Sequence, residues 1–198
     1  MRTFAILPVK RFSLSKQRLR AGLDAPQVEE LVESMFLAVL RALREVRSID
    51  RTVVITCEPV AATAARTAGA SVLADEERGH NAAAATGIAY VVRERAERAL
   101  LVPGDCPLLD PAELENLLRR RLDTPGALIV PDRHGTGTNA LLLQPPQAIP
   151  PAFGPGSCAR HMRLALDNQV NVELVEVTSL GLDVDTPDDL ATVTAQQC

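Results

Sequence analysis

The sequence predicts a three-layer α/β/α sandwich around a mainly parallel sheet, and three observations carry that reading. Short apolar runs such as Thr3–Val9, Thr52–Thr56, Ala99–Val102 and Ala127–Val130 are bounded by turn residues, the habit of strands buried on both faces. Between them lie stretches whose apolar residues recur at helical spacing. The two kinds alternate through the first two thirds of the chain, which is the pattern of strands linked by helices that cover a parallel sheet. At 198 residues the chain suits one domain, 1–198.

In chain order, Thr3–Val9 is a first strand and Lys10–Arg20 the basic loop after it. Asp24 and Pro26 open a long helix in which Val28, Leu31, Val32, Met35, Phe36, Val39, Leu40, Leu43 and Val46 form one broad buried face. Thr52–Thr56 is a second strand, Val60–Ala68 a short Ala-rich helix, and Ser71–Ala74 a third strand. Asn81–Arg95 and Pro111–Arg121 are helices flanking the strand at Ala99–Val102, and Ala127–Val130 is again an apolar strand. The rhythm then changes. Asn139–Leu143 reads as a strand, Pro145–Pro155 as a Pro-rich loop, Ser157–Asp167 as a helix and Val170–Val177 as a half-exposed strand, a section expected to carry an antiparallel excursion. A short strand into Asp183-Val184-Asp185 and a helix from Pro187 close the chain.

Composition excludes several classes. A formal charge of -4, no Trp and one Tyr argue against a nucleic-acid binder, which needs a basic face or aromatic stacking platforms. The charge is uneven, however. Arg2, Lys10, Arg11, Lys16, Arg18 and Arg20 all precede the first acid, Asp24, so an anionic small ligand belongs there. No segment is long enough to span a membrane, and Phe4–Val9 is too short for a signal-peptide core. Cys57, Cys106, Cys158 and Cys198 are scattered without a C-x-x-C pair, which suits free thiols in a cytoplasmic setting. A homodimer stays open, since no exposed apolar stripe identifies a surface for it.

Function concentrates on Val102-Pro103-Gly104-Asp105. A strand buried on both faces stops there, and ligands of open α/β sheets sit beyond the carboxyl ends of strands, so Asp105 is placed to hold a metal or polyphosphate. A capping role is the alternative, but Asp110-Pro111-Ala112-Glu113 is already a complete helix start and leaves Asp105 without that job.

Five other stretches could carry chemistry. Leu7-Pro8-Val9-Lys10, continuing to Ser15-Lys16-Gln17-Arg18, has cations beside exposed amides but neither G-x-G-x-x-G nor the Walker pattern, so it wraps a phosphate chain by other means or is a solvated loop. Gly79-His80-Asn81 opens a helix, where Asn81 either meets a base or ribose or serves as the N-cap. His80 reads as a surface residue. Gly135-Thr136-Gly137-Thr138-Asn139 is an ordinary turn or the edge of a ligand pocket. It gains weight from Phe153-Gly154-Pro155-Gly156-Ser157, a Gly-rich loop at a helix amino terminus, with Arg160 and Arg163 available to add charge and Ser157 able to act as a cap. In Asp183-Val184-Asp185-Thr186-Pro187-Asp188-Asp189, the segment from Thr186 is a cap, so Asp188 and Asp189 read as structural. Asp183 and Asp185, two apart on a strand and hence on one face, are free to join Asp105 around a divalent cation, although Asp185 could cap the last helix.

These motifs, in this order, resemble the CofC/FbiD guanylyltransferases of the nucleotide-diphospho-sugar transferase superfamily (GT-A-like fold), over nearly the whole chain. The resemblance implies transfer of GMP from GTP to a three-carbon phospho-acid, phosphoenolpyruvate favoured over 2-phospho-L-lactate or 3-phospho-D-glycerate, in coenzyme F(420) biosynthesis. It further implies Leu7, Pro8, Val9, Lys10 and Lys16 at the GTP phosphates and Asn81 near the nucleoside. Thr138, Asn139, Gly154, Gly156 and Ser157 would hold the acceptor, and Asp105 with Asp183 and Asp185 would hold Mg2+. Lys16 and Asp105 would then be the catalytic pair. A related transferase for a sugar phosphate or a molybdopterin, and a silent nucleotide-binding module, are the alternatives.

Such chemistry needs no general base, because an acceptor phosphate is already ionised at neutral pH. Its difficulty is repulsion. Two unit charges about 4 Å apart still cost about 4 kcal/mol at an effective dielectric near 20, and every ~1.4 kcal/mol left uncompensated is tenfold in rate. Lysines on the leaving pyrophosphate, a metal on the aspartates and a helix terminus on the acceptor are the expected remedy.

Overall fold

In the computed structural model, which describes residues 1–196, seven strands join one sheet in the order β3-β2-β1-β4-β6-β5-β7. The strands are β1 (Thr3–Val9), β2 (Arg51–Thr56), β3 (Ser71–Leu73), β4 (Arg98–Leu101), β5 (Gly126–Pro131), β6 (Thr138–Gln144) and β7 (Asn171–Leu174). Every adjacent pair is parallel except those involving β6, which runs antiparallel to both β4 and β5. That single reversal is the antiparallel excursion expected of the region after Val130. Cys198 lies outside the described residues.

The helices are α1 (Ala25–Glu45), α2 (Pro59–Thr67), α3 (His80–Arg93), α4 (Pro111–Arg119), α5 (Ser157–Asp167) and α6 (Pro187–Gln196). Alternate strand residues divide the core in two, as a period of two requires. Ala5, Leu7, Leu100 and Leu142 pack under α1, α2, α4 and α6, whereas Phe4, Ile6, Leu101 and Leu141 pack under α3 and α5. This is the predicted three-layer sandwich. Layer spacing is tight beneath α3, where a Cβ on Gly87 would lie 2.4 Å from Cγ2 of Ile6. Helix starts follow local chemistry. Asp24 and Gln27 form a reciprocal capping box at α1, and the Asp110 carboxylate accepts from the Ala112 amide at α4.

Four local expectations are corrected. Lys10–Arg20 is no open loop but holds two 3-10 turns, Phe12–Leu14 and Gln17–Ala21, because the Glu58 carboxylate accepts from the Phe12 amide and the Arg20 guanidinium donates to the Ser13 carbonyl. The half-exposed strand at Val170–Val177 is regular only over Asn171–Leu174, at the sheet edge. No strand forms into Asp183–Asp185. A 3-10 turn at Thr178–Leu180 precedes the segment, and Val184 donates its amide to the carbonyl of Asp105, in the loop after β4, instead of to a strand. Neither Asn81 nor Ser157 is an N-cap, since Gly79 (φ 101°) and Gly156 (φ 70°) occupy those positions in a conformation that favours glycine.

Candidate active site

Parallel strands that end together leave their last residues around one cleft. Beyond the carboxyl ends of β1 and β4 lies a cleft of about 290 Å³ lined by Pro8, Val9, Lys10, Lys16, Asp105 and Asp185. His80 from α3 and Phe36 from α1 close its sides. Leu7, by contrast, is wholly buried, and its side chain belongs to the core under α1.

Lys16 organises the charges. Its Nζ donates to Oδ2 of Asp105 and, at 2.6 Å, to Oδ1 of Asp185, with only 9% of the side chain exposed. Burial works against the ammonium charge, but the two carboxylates more than reverse this and raise its pKa above the ordinary lysine value. The backbone at Lys16 is left-handed (φ 50°, ψ 44°), a region that costs a non-glycine residue about 1 kcal/mol or more, so the surrounding contacts fix this lysine against its local preference. Two residues 80 positions apart are thus brought together by the Val184–Asp105 backbone bond and this ammonium. Asp105 Oδ1 is buried without a hydrogen-bond partner among the described residues. Asp183 lies beside them, where burial first and the nearby Asp105 charge second push its carboxyl above the usual range. Among the described residues no three His, Cys, Asp or Glu side chains already form a metal cage, since the Lys16 ammonium stands between two of the acids.

Asp189 holds Asp185 in place. Its buried carboxylate accepts the amides of Asp185 (3.0 Å) and Thr186 (2.8 Å) and pairs with Arg133, completing the cap expected at Thr186. Among the described residues the Asp185 carboxylate accepts no helix amide and is left to Lys16.

The remaining candidates gather in a second cluster beside the cleft. Asn139 donates to the Leu180 carbonyl (2.6 Å) and to Asp183 Oδ1 (3.3 Å), so it braces the acidic loop from β6. Asn81 makes a two-way clamp on Phe153, donating to its carbonyl (3.1 Å) and accepting from its amide (2.7 Å). Gly154 and Gly156 shape the loop, while Arg160, although exposed, donates to the Ala152 and Pro155 carbonyls of that loop. The first amides of α5 are already engaged, Ser157 with the Gly154 carbonyl and Cys158 with that of Thr136, and Ser157 is buried. The Gly135–Gly137 turn is wrapped around Asp132, whose carboxylate accepts from the amides of His134, Thr136 and Gly137.

Sequence reasoning missed His161. It is fully buried, shares a 3.0 Å hydrogen bond between Nδ1 and the Thr138 hydroxyl, and accepts the Ala152 amide on Nε2 at 2.9 Å. Phe153 packs edge-on between His161 and His80, at centroid distances of 5.0 and 5.1 Å, and His80 lines the cleft. The helical spacing of Cys158, His161 and Ala165 on one buried face of α5 was the signal available. Burial, with a lesser contribution from Arg160, lowers the His161 pKa to about 4. The unfolded chain therefore binds this proton below its ordinary value near 6.5 while the folded state refuses it. Stability conferred by neutral His161 is complete above about pH 6.5 and is lost as the pH falls toward about 4. Thermal melts across that window are expected to show a falling midpoint, and His161→Asn should flatten the slope. An unchanged slope would remove the assignment.

A family profile described as guanylyl transferase, CofC like, matches residues 3–196. The chain is 48% identical over 192 residues to a phosphoenolpyruvate guanylyltransferase of Conexibacter woesei, covering 96% of this chain and 86% of that protein. It is 40% identical to the phosphoenolpyruvate guanylyltransferase of Rubrobacter xylanophilus, covering 98% and 95%. Among solved structures, a Desulfovibrio desulfuricans G20 protein assigned to the nucleotide-diphospho-sugar transferases superposes with a TM-score of 0.77 at 14% identity, covering 100% of this chain and 88% of that one, a likeness of fold.

Proposed function

The chain belongs to the CofC-like family of guanylyl transferases, and from that premise we propose that it transfers GMP from GTP to the phosphate of phosphoenolpyruvate, releasing pyrophosphate, in coenzyme F(420) biosynthesis. The observation that carries this reading is the meeting of Lys16, Asp105 and Asp185 at the mouth of a cleft sited where α/β sheets bind ligands, in a chain 48% identical to a phosphoenolpyruvate guanylyltransferase. Lys10 and Lys16 are assigned to the triphosphate. Both are cations on the loop after β1, and their task is to offset charge on the departing pyrophosphate. The Asn139 and Phe153–Ser157 region, joined to the cleft through Phe153 and His80, is assigned to the phospho-acid.

We also assign Mg2+ to Asp105 together with Asp185 and Asp183. The donor set supports this, being three carboxylates of the hard-oxygen class that magnesium takes, with one buried Asp105 oxygen lacking a partner. When bound, the ion would neutralise charge at the reacting phosphates. The three free thiols of Cys57, Cys106 and Cys158, and a GTP substrate, support a cytoplasmic location.

The test is pyrophosphate release from GTP and magnesium with phosphoenolpyruvate, 2-phospho-L-lactate and 3-phospho-D-glycerate in turn. Phosphoenolpyruvate is expected to be fastest. Release only with another nucleotide or a sugar phosphate would overturn the guanylyl assignment, and GTP binding without turnover on any acid would make the chain a silent binding module.

A further inference from the structure

At the other end of the sheet, beside the amino-terminal ends of β1 and β4, lies a second cleft of about 450 Å³. That is within the common range for small-molecule sites. Its lining includes Arg47, Arg98, Arg119, Arg120 and Arg121, against a single acid, Asp50, which accepts the Thr3 amide at 2.7 Å. Arg98 is the unusual member. It projects from the first residue of β4, is 6% exposed, and donates from Nη1 to the Leu118 carbonyl at the end of α4 (2.7 Å). Its Nε and Nη2, the paired donors along one edge of the guanidinium, are buried with no partner among the described residues. Capping α4 uses one donor and leaves that edge unpaired. A buried guanidinium without an acceptor is costly, and a parallel pair of N–H donors matches two oxygens of one oxyanion.

The neighbours reinforce the sign. Arg119 is bonded to Glu115, Arg120 to Glu173, and Arg121 lies 4.0 Å from Asp123, all ion pairs with at least one exposed partner, while Arg47 has no ion pair among the described residues. The carboxyl-terminal dipole of α4 opposes an anion here, but it is a fraction of one charge against the two guanidinium groups, of Arg47 and Arg98, that have no acidic partner among the described residues.

We propose that this cleft is a second oxyanion site, in which Arg98, whose Nε and Nη2 are closed to solvent in this structure, swings that edge outward to make a two-point contact with a phosphate group, as inorganic phosphate or as a phosphate monoester, and the surrounding arginines supply the field. It is separate from the Lys16–Asp105 cleft, and only the expected count of two phosphates rests on the reading of that site.

Calorimetric titration with inorganic phosphate, and in a second arm with glycerol 3-phosphate, tests it. Two phosphates per wild-type chain are expected. Arg98→Met keeps most of the side-chain length but removes the donors and should eliminate one of the two, with a modest fall in melting midpoint from the lost bond to the Leu118 carbonyl. Lys10→Ala/Lys16→Ala should eliminate the other. Tighter binding of glycerol 3-phosphate than of phosphate identifies the ligand as an ester, and the reverse as the free ion. Should Arg98→Met fail to fold, Arg47→Ala/Arg121→Ala, both away from the core, should weaken the same site at least tenfold. Undiminished phosphate binding in the Arg98 variant, or in the rim double variant where that one does not fold, would overturn the proposal. So would the absence of any phosphate site from the Lys10/Lys16 variant.

Discussion

Asp105→Asn is expected to lower the rate of pyrophosphate release at least ~100-fold while leaving the fold intact. The carboxylate stands where β4 ends and shares the Lys16 ammonium with Asp185, so losing its charge removes a ligand from the assigned metal group and loosens the lysine meant for the triphosphate. Stability should change little. Lys16 keeps Asp185, an asparagine oxygen can still accept from Nζ, and the backbone bond from Val184 to residue 105 does not involve the side chain. Steady-state turnover and a thermal melt read the two quantities separately. Near-wild-type turnover would remove Asp105 from the reaction.

Lys16→Ala should be as severe for turnover and opposite in sign for metal. Removing a charged donor aimed at a transferring phosphate costs ~100-fold to ~1,000-fold. The same change frees Asp105 and Asp185 from an ammonium that now bonds to both. A competing unit charge at this range is worth more than ~1.4 kcal/mol even at an effective dielectric near 20, which converts to at least ~10-fold tighter binding of Mn2+, read by its electron spin resonance signal without any turnover. Turnover within a few-fold of wild type would show that Lys16 does not touch the reacting phosphates. Mn2+ affinity that fails to rise would show that the lysine and the metal do not share these carboxylates.

Much of this site can be read along the chain because its parts come from strand ends. A run such as Ala99–Val102, buried on both faces, has to stop at Pro103-Gly104, and whatever polar residue follows is delivered to the edge of the sheet, so Asp105 is identifiable from its neighbours alone. Capping chemistry is equally local. Asp110 and the Thr186–Asp189 pair behave as their spacing requires, and recognising them as structural is what isolates Asp105 and Asp185. Asp183 and Asp185 do lie beside Asp105, but by a route their spacing does not describe. The expected strand does not exist, and the acids converge through a backbone bond across 79 positions that no periodicity encodes.

The part that stays hidden in the sequence is partnership. Asn81, Ser157 and Arg160 have the chemistry of ligand-binding residues, yet two of them are spent on backbone groups of the 152–155 loop and the third is buried. Their side chains could satisfy either demand, and only the folded chain decides which acceptor is nearer. His161 escaped notice because nothing near it in sequence names Thr138 or Ala152 as its partners.

By itself, then, the sequence determined the layered α/β architecture, the single reversed strand region and the carboxyl-edge position of the principal aspartate, because all three follow from short-range apolar periodicity and turn chemistry. Tertiary structure decided that Lys16 stands between Asp105 and Asp185, that a buried histidine holds the neighbouring loop, and that an arginine at the far edge keeps two donors unpaired. Those are pairings between residues distant along the chain, and their electrostatics depend on separations and burial that exist only once the layers have closed.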